Sequence, residues 1–185
     1  TKLEKQVVAH TSELTLSHHD LRLFGSTRVG IAKGRNLGNR PKIEMLTKGN
    51  PINTSSVMLS KKLLEMSNGF SEEPAIVTSE DYDLWLRLSS LGARIEYLPN
   101  ILGSYRLHKR SNSAGNSAVA ASVVAEKYRG ELDSKEQKRL SGWLAYAQGV
   151  FENERNARRR LLWMAVKHAA WRFRWRAIVR LVLGL

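Results

Sequence analysis

Near residue 118 the hydrophobic period of this chain changes, and that change restricts its fold more than any other feature. Upstream, short stretches of period-2 alternation are interleaved with short helical stretches; downstream, only the helical period remains. "ELTLSHHDLRLF", "PINTSSVMLS", "ARIEYLP" and "ILGSYRLH" predict strands, the last two separated by Pro99-Asn100. Residues 2 to 9 read as the end of a helix. "SKKLLEMS" predicts a short helix closing at Asn68-Gly69, two residues that tolerate positive φ. Thr78 or Ser79 is expected to cap a further helix that runs to about Leu91 and stops at Gly92. After the polar linker "KRSNSAGNSA", the tail divides into four helical segments with breaks near 130–134, 153–156 and 167–170. The expectation is an α/β part over residues 1–115, a mixed sheet with helices, followed by an all-α tail over 116–185. "YAQGVFENERNARRRLLWMAV" has the spacing of a helical hairpin, which needs partners from the preceding chain to bury its face.

Charge narrows the partners. The chain of 185 residues carries a formal +13, and from Phe151 onward nine Arg or Lys face only Glu152 and Glu154. Such an excess suits an anionic partner: nucleic acid, a membrane face or a phosphorylated substrate. Its concentration in a Trp-containing tail, and the absence of zinc-finger, RRM or KH signatures, argue against nucleic acid. On a helical wheel Trp171, Trp175, Ile178, Val182 and Leu185 share one face, with Arg172, Arg176 and Arg180 beside it. Two readings of residues 156–185 stay open: a helix lying on an anionic membrane surface, or a terminal helix docked on its own domain with a solvated basic face. A helical interaction protein in which residues 118–185 recruit a partner enzyme is a third reading. No apolar run reaches spanning length, and the N-terminus is polar rather than a signal peptide. With no cysteine, these features predict a cytoplasmic protein, peripheral at most on the inner face of the membrane. Its first residue, Thr1, reads as the start of a fragment or processed piece.

The densest chemistry lies in "TSEDYDLWLRL", residues 78 to 88. Asp81-x-Asp83 looks like a metal signature, but residues two apart on a helix project about 200° apart and cannot share an ion. Asp83 is instead expected to pair with Arg87 at i, i+4 on an exposed face. Glu80 and Asp81 fall in the first turn, where free N–H groups and the helix dipole favour negative charge, and Thr78 stands at capping-box distance from Asp81. A carboxylate there is also placed to act as a base. The basic stretch 28–42 reads as a flexible solvated loop, because Gly30, Gly34 and Gly38 match no phosphate-binding fingerprint.

Five short elements recur in order: Gly49-Asn50, Ser55-Ser56-Val57, Asn68-Gly69-Phe70, Glu80-Asp81-Tyr82-Asp83-Leu84-Trp85 and Tyr105-Arg106-x-His108. In that order and spacing they resemble the C-terminal part of the catalytic domain of family 2 glycosyltransferases, which have the GT-A fold. The resemblance covers roughly residues 1–115. It implies transfer of a sugar from a nucleotide-sugar donor to a glycan or lipid-linked acceptor hydroxyl. Asp81 would be the catalytic base of an inverting reaction, and Glu80 would orient the acceptor. Asn68, Gly69, Phe70, Trp85 and Arg106 would line the acceptor side. His108 would stand near a divalent metal, Mn or Mg, held mostly by an Asp-x-Asp in a nucleotide-binding half that this chain lacks. It follows that the chain alone is expected to be incomplete and inactive. The alternative is a non-catalytic basic module that binds nucleic acid or an anionic membrane.

Overall fold

A computed structural model of the chain describes residues 1–25, 29–107 and 114–184. In chain order the helices are α1 (Lys2–Ala9), α2 (Pro41–Lys48), α3 (Lys61–Met66), α4 (Glu80–Ser90), α5 (Ala114–Glu126), α6 (Ser134–Phe151), α7 (Arg155–His168) and α8 (Trp171–Leu183). The strands are β1 (Thr15–Gly25), β2 (Gly30–Ala32), β3 (Met58–Leu59) and β4 (Arg94–Leu107). The protein is therefore mixed α/β, with helices alone after residue 114. Its described residues group into two compact units. One takes in Thr1–Lys42, Asn50–Glu73 and Glu80–Ser113; the other takes in Ile43–Gly49, Pro74–Ser79 and Ala114–Leu185.

In the first unit β1 is the central strand. β4 runs parallel along one edge from Thr15↔Arg94 to Gly25↔Leu107, while β3 and β2 pair antiparallel at Leu16–Ser17 and Leu21–Leu23. Residues Thr15 to Leu21 are all buried, so the strand is covered on both faces and its alternating sequence pattern misleads. "ARIEYLP" and "ILGSYRLH" prove to be one strand. The register with β1 slips around Asp20, and the bulge absorbs Pro99-Asn100 without ending the pairing. "PINTSSVMLS" is shorter as a strand than its composition suggests: Thr54–Ser56 form a 3₁₀ turn and only Met58–Leu59 pair. Over its described part, 29–42, the basic stretch is also more ordered than a solvated loop. Gly30–Ala32 pair with β1, and the Gly34 N–H donates to Asp20 Oδ1 at 2.8 Å. A Cβ at Gly34 would stand 2.6 Å from the Tyr97 ring and 2.9 Å from that of His18, so close approach demands glycine there.

Residues 2–9 are helical as expected, and in α1 the Thr1 and Glu4 side chains form a capping box. Its buried Gln6 donates from Nε2 to Ser56 O at 3.0 Å and reaches Ser17 Oγ at 3.2 Å, which ties the helix to both β1 and the 54–56 turn.

In the second unit α6 and α7 form the expected hairpin. Gly142 and Gly149 lie on the α6 face that meets α7, and a Cβ at Gly142 would sit 2.2 Å from Ala169 N. The preceding chain supplies partners: Trp143 Nε1 donates to Leu46 O, and Arg172 donates to Lys48 O at 3.3 Å. Among the described residues no helix is long and apolar enough to cross a membrane.

Candidate active site

α4 brings most of the candidate residues together. It ends at Gly92, whose φ of +79° only glycine adopts easily, as the sequence predicts. Its start differs from expectation. Thr78 has φ +79°, a strained conformation for a β-branched residue, and its buried Oγ1 has no hydrogen-bond partner among the described residues. Ser79 spends its hydroxyl on Ser117 O at 3.1 Å. Neither side chain accepts a first-turn N–H of α4 among the described hydrogen bonds: Thr78 Oγ1 has no partner, and Ser79 Oγ is seen only as a donor.

Asp81 fills the first turn differently. Its Oδ1 accepts the Tyr82 N–H at 2.6 Å, and its Oδ2 accepts the Thr54 hydroxyl at 2.6 Å. Burial pushes the Asp81 carboxyl above the usual carboxylate range, opposed by the bonds from Thr54 and Tyr82 and reinforced by the neighbouring Glu80 charge. Glu80 Oε2 is buried beside it with no hydrogen-bond partner among the described residues. Such an acceptor is costly to leave unpaired, and in native structures it asks for an explanation. Thr54 escapes sequence reasoning. It lies far from Asp81 in sequence, and the only local signal is a short polar run, "NTSS".

The Asn68-Gly69 turn forms as predicted, with φ of +58° and +68°, and Gly69 N–H closes back onto Leu64 O at 3.1 Å. Space above Gly69 is open, since a Cβ there would meet nothing within 4 Å. α4 holds this turn through Arg87, which donates to Ser67 O and, at 2.8 Å, to Gly69 O, while its Nε donates to Asp83 Oδ2 at 2.7 Å. The Asp83–Arg87 pair thus exists, but not as the expected exposed one: Asp83 is only 4% exposed. The physical reason is that Arg87 needs both the carboxylate and the two turn carbonyls, and they lie inward. Phe70, half exposed, meets the fully buried Trp85 edge-on, with ring centroids 6.5 Å apart. Arg106 is exposed near the end of β4, in register with Phe24, and none of the described hydrogen bonds links it to α4. His108 lies outside the described residues.

A second polar cluster sits on β1. Asp20 Oδ1 accepts both Gly34 N–H and, at 2.7 Å, the Tyr97 hydroxyl. Burial, then the bond to Asp20 and its charge, push the Tyr97 phenol up to about 12. Burial and the neighbouring His19 bring His18 down to about 4. Asp20 and Tyr97 satisfy each other, while both ring nitrogens of the buried His18 and Nε2 of His19 have no side-chain hydrogen-bond partner among the described residues.

His108, which the resemblance sets near a divalent metal, is among the residues not described. Asp83 is committed to Arg87, and no group of three His, Asp or Glu among the described residues is arranged to hold an ion. Compared with known proteins, the chain matches no family model, no curated protein and no solved structure.

Proposed function

We propose that this chain is the acceptor-side portion of an inverting glycosyltransferase of the family 2 type, with the GT-A fold, acting in cell-surface polysaccharide or glycolipid synthesis. The observation that carries the reading is the Glu80–Asp81 pair at the start of α4: a carboxyl made more basic by burial, beside a buried carboxylate oxygen that has no partner among the described residues. The motif order described above supplies the class of reaction.

In this mechanism the acceptor hydroxyl lies against Asp81 Oδ. As its oxygen bonds to the anomeric carbon, Asp81 takes the proton, the bond from that carbon to the nucleotide oxygen breaks, and the nucleoside diphosphate departs with the electron pair. A base must be within hydrogen-bond reach and ionised, and a raised pKa increases the driving force for proton transfer while both hold. The orphaned Glu80 oxygen would accept a second acceptor hydroxyl and so orient the first. The open Gly69 backbone and the exposed Phe70 would border the acceptor.

The test is release of nucleoside diphosphate from nucleotide-sugar donors by the protein in its complete natural form. Asp81→Asn should lower kcat by about a thousandfold or more with little change in donor affinity. An Asp81→Asn protein that turns over like the parent overturns the assignment.

A further inference from the structure

α8 has two apolar faces. Phe173 and Ala177 are buried, and the Arg172 guanidinium lies 4.6 Å above the Phe173 ring. On the other side Trp171, Trp175, Ile178 and Val182 follow one another at i, i+4, i+7 and i+11, so they form one stripe. That stripe is not docked: Trp171, Trp175 and Val182 are 80%, 62% and 78% exposed. A helix that only packs on its own unit turns a polar face outward. Here two indoles and two branched aliphatics face outward instead.

The charge around the stripe selects the occupant. Residues 155–185 hold nine Arg or Lys and no acid. Arg176 is exposed beside the stripe, and Arg155, Arg158 and Arg159 of α7 line a cleft of about 400 Å³ with Arg180. Arg174 donates to Ala169 O at 2.7 Å and so closes the end of α7. A second copy of the chain would bring the same nine cations and repel the first. Nucleic acid would use the cations but leave the aliphatic positions without a role. A bilayer surface with anionic headgroups uses both, because interfacial helices place Trp and aliphatics at the acyl boundary and arginines among the phosphates.

We infer that α8 lies in the plane of an anionic membrane surface, with Trp171, Trp175, Ile178 and Val182 entering the acyl boundary and Arg176 facing headgroup phosphates. This holds whether or not the chain transfers a sugar. The experiment is co-sedimentation of the 185-residue chain with vesicles of phosphatidylcholine, alone or mixed with phosphatidylglycerol. Binding should be at least about tenfold stronger on the mixed vesicles, weaken with salt, and shift tryptophan emission to the blue. The double variant Trp171→Ser, Trp175→Ser should lose about tenfold or more of that binding with unchanged far-UV circular dichroism, since both side chains are exposed. Equal binding by parent and double variant overturns the inference. So does salt-sensitive binding to duplex or single-stranded nucleic acid without vesicle binding, or a solution dimer that the two substitutions dissolve.

Discussion

The Thr54 hydroxyl donates to Asp81 Oδ2 at 2.6 Å, joining the 3₁₀ turn before β3 to the first turn of α4. This bond holds one carboxylate oxygen in place and lowers a pKa that burial raises. Thr54→Val should therefore move the Asp81 pKa further up, while Thr54→Ser should leave it near the parent value. Carboxyl-carbon NMR titration reads this directly; an unmoved or lowered Asp81 pKa in Thr54→Val would contradict it. Under the proposed transfer mechanism, the acid limb of the pH–rate profile should move up with it.

Arg87 should matter more than an ordinary i, i+4 surface partner. Arg87→Ala leaves the buried Asp83 carboxylate and two turn carbonyls short of a donor, and should cost about 2–3 kcal/mol in urea unfolding. Arg87→Lys should recover little of this, because an ammonium cannot span three acceptors with a planar fork. Hydrogen exchange at Gly69 and Phe70 should quicken in both variants.

His18 gives the fold an acid-sensitive step. Its pKa falls from an ordinary value near 6.5 to about 4 because it is buried against Tyr97 and near His19, with Asp20 partly opposing. Between those values the unfolded chain binds the proton and the native state does not. The contribution is thus fully present above pH 6.5 and is lost as pH falls toward 4, by roughly 3 kcal/mol. Burial also lowers His19, with the same sign, whereas the raised Asp81 carboxyl opposes both just above its unfolded value. Urea midpoints measured across this window should fall in the parent, and His18→Leu should flatten the curve.

Gly142 lies directly against the backbone at the C-terminal end of α7. Gly142→Ala would drive a methyl into the backbone of His168 and Ala169 and should cost about 3 kcal/mol. Gly130→Ala, where a Cβ meets nothing within 4 Å, should change stability by less than about 0.5 kcal/mol. Similar losses from both would mean that the helices are not this close.

Positions whose backbone demands are local were legible in the sequence. Asn68-Gly69, Gly92 and the breaks between the four tail helices are fixed by residue chemistry within a few positions. What failed was set by distant partners. Pro99-Asn100 carries every mark of a strand boundary, yet β1 stays in register around it through a bulge. Asp83 and Arg87 show the same i, i+4 spacing whether solvated or buried, and only the Ser67 and Gly69 carbonyls decide between the two. Thr78 at capping-box distance did not imply a cap, because its φ turned positive. Asp81 stands in a local motif, whereas its hydroxyl partner Thr54 reaches it only through the fold.

Gln6 gives α1 a reach beyond its own eight residues. Its amide nitrogen contacts the Ser17 hydroxyl and the Ser56 carbonyl, and Ser56 shares its turn with Thr54. A small exposed helix thereby acts as a buttress for a carboxylate it never touches. Wear at that buttress, through proteolytic nicking or a substitution at Gln6, would show as a misaimed Asp81 before it showed as an unfolded protein.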